Sequence, residues 1–169
     1  MSWKRSARAR PDFQRAGTVR LPYADRAEAG RVLAERLVPL GLEGAAVLAL
    51  PRGGVPVGYE VARRLGSPLD VLVTRKIGYP PQPELGVGAI AEGGVPVFDG
   101  DLLRRLGLRP EDLAATVAAE RAELDRRVAV YRRGRPLPET SGRPVIVVDD
   151  GFATGGTARA AVRALRERG

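Results

Sequence analysis

Two adjacent acids and a glycine–threonine turn stand close together near the end of the 169-residue chain. Asp149 and Asp150 follow the apolar run 145–148, and the segment 153–157 reads Ala-Thr-Gly-Gly-Thr. Carboxylates accept hydrogen bonds from hydroxyl groups, whereas glycine-rich backbone at the start of a helix offers N–H donors to a phosphate. Because acids repel a phosphate, they must face another part of the same ligand. The pattern predicts a site for a sugar phosphate.

Two other phosphate-binding patterns fit the sequence poorly. A Walker loop requires Gly-x-x-x-x-Gly-Lys-Ser/Thr, and no glycine precedes a lysine in that arrangement. The segment 86–91 has the Gly-x-Gly-x-x-Ala spacing of a dinucleotide site, but it follows a proline-rich stretch where that site requires a strand. The structural alternative is an ordinary strand, turn and helix with an acid at the strand end. Two adjacent acids followed by Thr-Gly-Gly-Thr favour a ligand site over it.

The composition excludes several kinds of chemistry. The chain has no cysteine and no histidine, so it has no disulfides, thiolate nucleophiles, imidazole bases or Cys/His metal sites. Chemistry must therefore use carboxylates, Lys, Arg, hydroxyls, backbone amides or a cation bound by oxygen. Lys4 and Lys76 are the only lysines among 28 basic residues. Since Lys76 comes directly after an apolar run, it is a candidate functional residue.

The excess of positive charge lies mainly at the N-terminus. Residues 1–20 contain six basic residues and one acid, which gives +5 of the net charge of +8. We interpret this segment as a peripheral basic arm, for which contact with nucleic acid is possible but not favoured. The arm lacks the apolar centre of a secretory signal, and no segment approaches the ~20 consecutive apolar residues of a membrane span. A soluble, cytoplasmic protein is expected, with no membrane partner.

The elements that position these residues alternate between strands and helices. Apolar runs of strand length occur at 45–50, 69–74 and 145–148. Apolar residues at helical spacing predict helices at 26–37, 55–65, 110–133 and 157–168. Asp25, with Glu28 three residues later, predicts the start of the first helix. This alternation indicates an α/β fold with a parallel sheet, and ligands of such sheets bind at the carboxyl ends of the strands.

The middle of the chain has a different character. The segment 75–84 contains three prolines and one glycine, and because proline lacks an amide donor we expect an irregular loop there. The segments 87–91 and 95–98 are separated by Glu-Gly-Gly and predict a β-hairpin.

The thirteen residues 145–157 resemble the phosphoribosyl-pyrophosphate (PRPP) signature of type I phosphoribosyltransferases. The likeness extends from about Asp25 to Gly169 and includes the segments 50–57, Leu-Pro-Arg-Gly-Gly-Val-Pro-Val, and 83–85, Pro-Glu-Leu. In these the chain is similar to bacterial phosphoribosyltransferases of unassigned base specificity. The resemblance implies a type I phosphoribosyltransferase fold over residues 21–169, an open parallel sheet flanked by helices. A small hood is expected from the N-terminal region and the hairpin.

The resemblance also implies which residues bind PRPP. Asp149 and Asp150 would accept hydrogen bonds from the ribose hydroxyls. The 5-phosphate loop would consist of Ala153, Thr154, Gly155, Gly156 and Thr157. The pyrophosphate loop would contain Arg52, Gly53 and Gly54, because the glycines let the backbone approach the ligand and the arginine pairs with phosphate oxygens.

The segment 75–88 is similar in placement to the flexible loop that closes over the reacting centre in this family. Arg75 and Lys76 would bring positive charge to the departing pyrophosphate, and Glu84 is a further candidate catalytic residue. Mg²⁺ is the implied cofactor. It would be held mainly by PRPP oxygens and water, with no direct protein ligand.

The implied reaction is transfer of the phosphoribosyl group from PRPP to a nitrogenous base, with release of pyrophosphate, by an enzyme that acts as a homo-oligomer such as a dimer. Ala153 stands where enzymes for 6-oxopurines have an aspartate, which disfavours hypoxanthine and guanine as acceptors. The chain ends at Gly169, where the fold ordinarily continues with another strand, so the C-terminal end is expected to be incomplete.

Two other functions stay open at this point. One is a regulatory protein that senses PRPP without catalysis and binds nucleic acid through its basic surface, for which the arm speaks. Such binding would weaken steeply with salt. The other is an enzyme that forms the pyrophosphate itself, but no ATP-binding motif supports it.

Overall fold

Five α-helices, two short 3-10 helices and six strands occur in the part of the chain that the computed structural model describes, residues 22–42, 44–152 and 155–168. The helices are α1 Arg26–Leu37, α2 Gly54–Leu65, α3 Gly100–Leu106, α4 Ala114–Arg132 and α5 Gly156–Glu167. The strands are β1 Ala46–Ala49, β2 Leu69–Val71, β3 Thr74–Tyr79, β4 Gln82–Ala91, β5 Val97–Phe98 and β6 Val145–Val148. The basic arm, residues 1–20, lies outside the described residues, so its predicted roles in the hood and with nucleic acid stay predictions.

Three of the strands form the predicted parallel sheet, in the order β2-β1-β6. Ala46 pairs with Val145 and Ala49 with Val148, so β1 and β6 end side by side. All four residues of β1 are buried, which agrees with a continuous apolar run in a strand covered on both faces. As a result, the loops that follow β1 and β6 leave the sheet at the same edge.

Helices cover both faces of this sheet. Successive side chains of a strand point to opposite faces, and Val47 packs with residues of α1 and α2 while Leu48 packs with Ala161 of α5. The predicted α/β architecture, an open parallel sheet flanked by helices, is therefore confirmed. The start of α1 is confirmed too, because Asp25 Oδ1 accepts a hydrogen bond of 2.7 Å from the backbone N–H of Glu28.

The other three strands form an antiparallel sheet in the order β3-β4-β5. The predicted hairpin is confirmed by the pairs Gly88 with Phe98 and Ala89 with Val97. The predicted loop at 75–84 is wrong, because most of this segment belongs to β3 and β4. Two of its prolines, Pro80 and Pro81, occupy the turn between the paired residues Tyr79 and Gln82, where no ladder hydrogen bond is required of them.

The strand predicted at 69–74 is divided between the two sheets. Pairing with β1 includes Val71 as its last residue, and β3 begins at Thr74. Leu72 and Val73, which connect the two strands, are both buried. The segment 69–74 is therefore apolar for two reasons. Its first residues pair with β1, and the residues that connect the two sheets are buried.

Helix α4 covers the antiparallel sheet. A 3-10 turn, Pro110–Leu113, precedes it, which agrees with the predicted start at Pro110. Leu113 and Leu124 pack with Ile77, Val87 and Ile90 in one core cluster. In the described residues, no helix combines the length with the apolar character that crossing a membrane requires.

A buried arginine at the end of α4 connects this helix to both sheets. Arg132, whose residue is 3% exposed, donates to Glu92 Oε2 at 3.0 Å and to Asp70 Oδ2 at 3.2 Å. It also donates to the carbonyl oxygen of Val71 at 2.5 Å. Since Glu92 follows β4 and Asp70 lies in β2, this one side chain joins three elements.

Candidate functional site

The loop after β1 lies against the two acids that follow β6. A Cβ atom placed on Gly53 would overlap the carboxylate of Asp150, and one on Gly54 would be 2.6 Å from the carbonyl oxygen of Val148. At Gly54 the neighbouring atoms belong to the backbone, so this position has no room for a side chain, whereas at Gly53 they belong to the Asp150 side chain. The structure thus brings Gly53 and Gly54 against Asp149 and Asp150, whereas Arg52 lines a cavity with residues of α4.

The two acids have different partners. The backbone N–H of Asp150 donates to Asp149 Oδ1 at 2.9 Å. Asp150 Oδ2 accepts from Nε and from Nη2 of Arg26, each at 2.7 Å. Hydrogen bonding to Arg26 holds the pKa of Asp150 below its usual value, whereas burial raises the pKa of Asp149. Asp150 therefore stays ionised, while Asp149 takes up a proton more readily than an ordinary aspartate.

Sequence reasoning did not identify Arg26 as part of this edge. Arg26 is the first residue of α1, directly after the capping Asp25. The first turn of a helix favours acidic residues, because the positive end of the helix dipole lies there. An arginine at that position is therefore a weak signal in the sequence that its side chain has a partner elsewhere.

A cavity of about 170 Å³ joins the antiparallel sheet to the start of α5. Its lining includes Lys76 from β3 and Gly155, Gly156 and Thr157 from the predicted phosphate loop. Gly155 has a φ of 71°, a backbone conformation that favours glycine, and α5 begins at the next residue. The first N–H groups of that helix have no partner within it and suit an anion. Ala153 and Thr154 lie outside the described residues.

The three predicted catalytic side chains are not placed together. Lys76 lines the cavity. Its Nζ donates to the carbonyl oxygen of Glu84 at 3.1 Å and lies 3.6 Å from Glu84 Oε2. Arg75 instead pairs with Glu120 of α4, its Nε donating to Oε2 at 2.7 Å. Because neighbouring residues of a strand point to opposite faces, Arg75 and Lys76 lie on different sides of β3. The structure therefore separates Arg75 from the cavity and keeps Lys76 and Glu84 near each other.

Asp149 and Asp150 also determine how a divalent cation could bind at the end of β6. Within the described ranges, no group of three or more acidic side chains could hold a metal ion. Two adjacent carboxylates, one of them already paired with Arg26, suit a hard cation that takes most of its oxygen ligands from a bound polyanion and water. The residues present therefore fit Mg²⁺ bound through its ligand.

The parallel sheet, with a glycine loop, an acid pair and a helix start near one edge, defines an α/β protein with a candidate phosphate site. Comparison with known families is more specific. The sequence profile described as "Phosphoribosyl transferase domain" matches residues 26–169, so the chain belongs to the phosphoribosyl transferase domain family.

The relatives support this assignment. The chain is 51% identical, over 150 residues, to two proteins named as candidate phosphoribosyl transferases, from the CDC 1551 and H37Rv strains of Mycobacterium tuberculosis. The match covers 87% of this chain, but the chain spans only 33% of the length of each of these relatives. The crystal structure of TT1426 from Thermus thermophilus superposes with a TM-score of 0.73 at 46% identity, covering 88% of this chain and 71% of that one.

Proposed function

We propose that the chain binds PRPP at the edge formed by the loops after β1 and β6 and transfers the phosphoribosyl group to a nitrogenous base. The observation that carries this proposal is the contact between Gly53–Gly54 and the acid pair, which brings a candidate pyrophosphate loop against a candidate ribose site. The cavity that joins Lys76 to Gly155–Thr157 supports it, since it sets a cation opposite a candidate phosphate loop.

Each part of PRPP then has a partner of matching chemistry. The 5-phosphate binds at 153–157, where helix N–H groups and hydroxyls donate to it. The ribose hydroxyls donate to Asp149 and Asp150, and the pyrophosphate binds the backbone of Gly53 and Gly54 and the guanidinium of Arg52. Arg26 neutralises Asp150, so the acid pair repels the anionic ligand less.

The chemistry is a displacement at the anomeric carbon. The lone pair of the base nitrogen forms the new bond to C1, the bond from C1 to pyrophosphate oxygen breaks, and pyrophosphate leaves with the electron pair. Any proton on that nitrogen passes to solvent. Lys76 stabilises the charge that develops on the leaving pyrophosphate. Mg²⁺, when bound, supplies further neutralisation of the same charge.

Calorimetric titration with PRPP and Mg²⁺ tests the proposal. The wild type is expected to bind, and the Asp149→Asn, Asp150→Asn double variant is expected to lose binding. Asp101→Asn is the control, because Asp101 pairs with Arg104 on α3 and lines none of these surfaces. Absence of binding by the wild type, or undiminished binding by the double variant, would overturn the proposed site. Release of pyrophosphate with a panel of bases then tests transfer itself.

A further inference from the structure

Arg159 lines the cavity that joins the antiparallel sheet to the start of α5. It is the fourth residue of α5, which begins at Gly156, and its backbone N–H donates to the carbonyl oxygen of Gly155 at 2.9 Å. Side chains of a helix point back toward its N-terminus. The guanidinium of Arg159 is therefore directed toward the end of α5 where the candidate 5-phosphate loop lies.

The side chain of Arg159 has only a loose partner. In the described part of the chain, its charged neighbour is Asp99, whose Oδ2 lies 3.8 Å from Nη2 of Arg159. That distance is too long for a hydrogen bond, and no described residue accepts one from this guanidinium. The Arg159 side chain is 57% exposed, and an ion pair so long and so exposed adds little stability. The guanidinium is therefore free to turn away from Asp99, and its N–H donors are available to a ligand.

Asp99 has a structural role of its own in this cavity. Its Oδ1 accepts a hydrogen bond of 3.0 Å from the backbone N–H of Leu102, which caps α3. Its other oxygen, Oδ2, faces Arg159. Because Asp99 also lines the cavity, its charge repels a phosphate there. Arg159 offsets that charge and makes this side of the cavity suitable for an anion.

The candidate phosphate loop by itself neutralises only part of a 5-phosphate. A phosphate monoester carries about −1.5 to −2 charges at pH 7, whereas a helix N-terminus is equivalent to roughly half a positive charge. Lys76 also lines the cavity, but it lies 3.6 Å from Glu84 Oε2 and is proposed to face the leaving pyrophosphate. Among the described residues of the lining, Arg159 is the remaining cation. It is therefore the side chain available to complete the neutralisation of the 5-phosphate.

We propose that Arg159 binds the 5-phosphate of PRPP, turning from Asp99 to donate two parallel hydrogen bonds to phosphate oxygens. The inference rests on the proposed function, since it adds a residue to the 5-phosphate end of the same site. The planar, forked guanidinium matches two oxygens of a phosphate and finds no such partner in a 5-hydroxyl. Arg159 thereby makes the site selective for a ribose that carries a 5-phosphate.

Titration of the full chain with ribose 5-phosphate, which has the 5-phosphate but no pyrophosphate, tests this inference. PRPP and inorganic pyrophosphate are titrated in parallel. Arg159→Gln is expected to weaken binding of ribose 5-phosphate and PRPP about tenfold or more, as loss of a charge-assisted pair does, and to leave pyrophosphate binding unchanged. Arg159→Lys keeps the charge without the fork and is expected to be intermediate. Weakening of pyrophosphate alone shows that Arg159 serves the other end of the ligand and overturns the inference.

The matched control is Arg163→Gln, which makes the same change of charge one turn further along α5. Arg163 Nε donates to Glu167 Oε1 at 2.9 Å, and Arg163 is not among the described residues that line the cavity. The control is expected to keep the affinities for all three ligands. If it weakens ribose 5-phosphate as much as Arg159→Gln does, the effect comes from net charge and the inference is wrong.

Asp99→Asn tests the exchange of partners from the other side. Asparagine keeps an oxygen that can cap α3 but removes the charge that faces Arg159. Ribose 5-phosphate is expected to bind about threefold more tightly, the size of effect of an exposed pair, and the gain should be smaller when Arg159→Gln is also present. An equal gain in both backgrounds shows that Asp99 acts by direct repulsion, which overturns the exchange.

The two sugar phosphates separate this inference from the proposed function. If the wild type and Arg159→Gln bind PRPP and ribose 5-phosphate equally well, the role of Arg159 is overturned and the proposed function stands. If the wild type binds ribose 5-phosphate through Arg159 but does not bind PRPP, only the proposed function is overturned. Binding of neither ligand by the wild type overturns both.

Discussion

Asp149 and Asp150 are neighbours in sequence but differ in electrostatic environment. Asp150 is held ionised by Arg26, while burial disfavours the charge on Asp149. The pair therefore consists of one carboxylate that Arg26 keeps ionised and one whose ionised form is destabilised by burial in the free protein. Sites that bind ligands often retain such unfavourable groups, because the ligand supplies the missing partner.

Replacing Asp149 by Asn is expected to stabilise the free protein and weaken PRPP binding. Burial raises the pKa of Asp149 in the folded state. Ionised Asp149 therefore lowers the free energy of unfolding in full above that pKa, and the effect disappears below the unfolded pKa of about 3.9. At pH 7 the variant should gain less than about 1 kcal/mol, or less than about 2–4 °C in Tm, because solvent screens this partly exposed group. Thermal unfolding at pH 7 and pH 4 measures this, and an equal gain at both pH values contradicts the electrostatic cause.

Replacing Arg26 by Gln is expected to destabilise the protein at neutral pH and to have little effect on its stability in acid. Arg26 lowers the pKa of Asp150 in the folded state. The Arg26–Asp150 pair therefore stabilises the protein fully above the pKa of Asp150 in the unfolded chain, and this stabilisation is lost as the pH falls through the pKa in the folded state. The loss of unfolding free energy at pH 7 should be below about 1 kcal/mol, since the pair is largely exposed. PRPP affinity should fall more, and Arg26→Lys should restore part of it.

Urea unfolding across pH and PRPP titration measure these two effects of Arg26. Arg31→Gln is the control, since Arg31 lies on the same helix and pairs with Glu60 at 3.7 Å. If Arg26→Gln destabilises equally in acid and at neutral pH, the side chain acts through packing and not through Asp150.

The elements show how far a sequence specifies its own arrangement. The runs 45–50 and 145–148 predict two strands correctly. Strand β1 is buried throughout, as a continuous apolar run suggests, whereas three of the four residues of β6 are only partly buried. The segment 75–84 misleads, because three prolines suggest a loop although two of them fall in a two-residue turn. Knowing that Arg75 and Lys76 share a strand would have predicted that only one of them faces the cavity.

The contacts between distant elements are not readable from local patterns. Arg26 and Asp150 are separated by 124 positions, and nothing local to either indicates the other. The same holds for the cavity that Arg52 lines together with Arg126 and Arg127 of α4. The orientation of α4 over the loop after β1 is set by the packing of α4 on the antiparallel sheet. Sequence patterns predicted most of the strands and helices, whereas packing determined which side chains meet.

The approach of α2 to the end of β6 predicts a sharp difference between two glycines. Gly54→Ala places a Cβ atom 2.6 Å from the carbonyl oxygen of Val148 and 3.0 Å from Cα of Asp149, and backbone atoms cannot move aside cheaply. We expect a loss of about 1–3 kcal/mol in unfolding free energy. Gly151→Ala is the control, because no atom lies within 4 Å of its Cβ position. Similar urea midpoints for the two variants would contradict this reading.

At the scale of the whole molecule, Arg132 holds the two sheets together. Arg132→Met leaves Glu92 and Asp70 buried or half-buried without their cation, and breaking such a pair costs about 3–5 kcal/mol. Urea unfolding measures the loss, with the exposed neighbour variant Arg133→Met as control. Adding Glu92→Gln to Arg132→Met should recover part of the stability, because it removes one uncompensated charge. A loss well below the ~3 kcal/mol expected for a buried pair would show that the sheets associate without this connection.

The pairing of β1 with β6 governs the order in which the chain folds. Ala46 and Val145 are 99 positions apart, whereas β3 and β4 are joined by a two-residue turn. Closing a long loop costs entropy before any contact forms, so the local hairpin assembles early and the parallel sheet late. During synthesis on the ribosome, β1 emerges well before β6, its second partner strand, exists. The edge of β1 that later pairs with β6 is unpaired until then, because β2 pairs with the opposite edge. The candidate site is therefore completed only when β6 arrives.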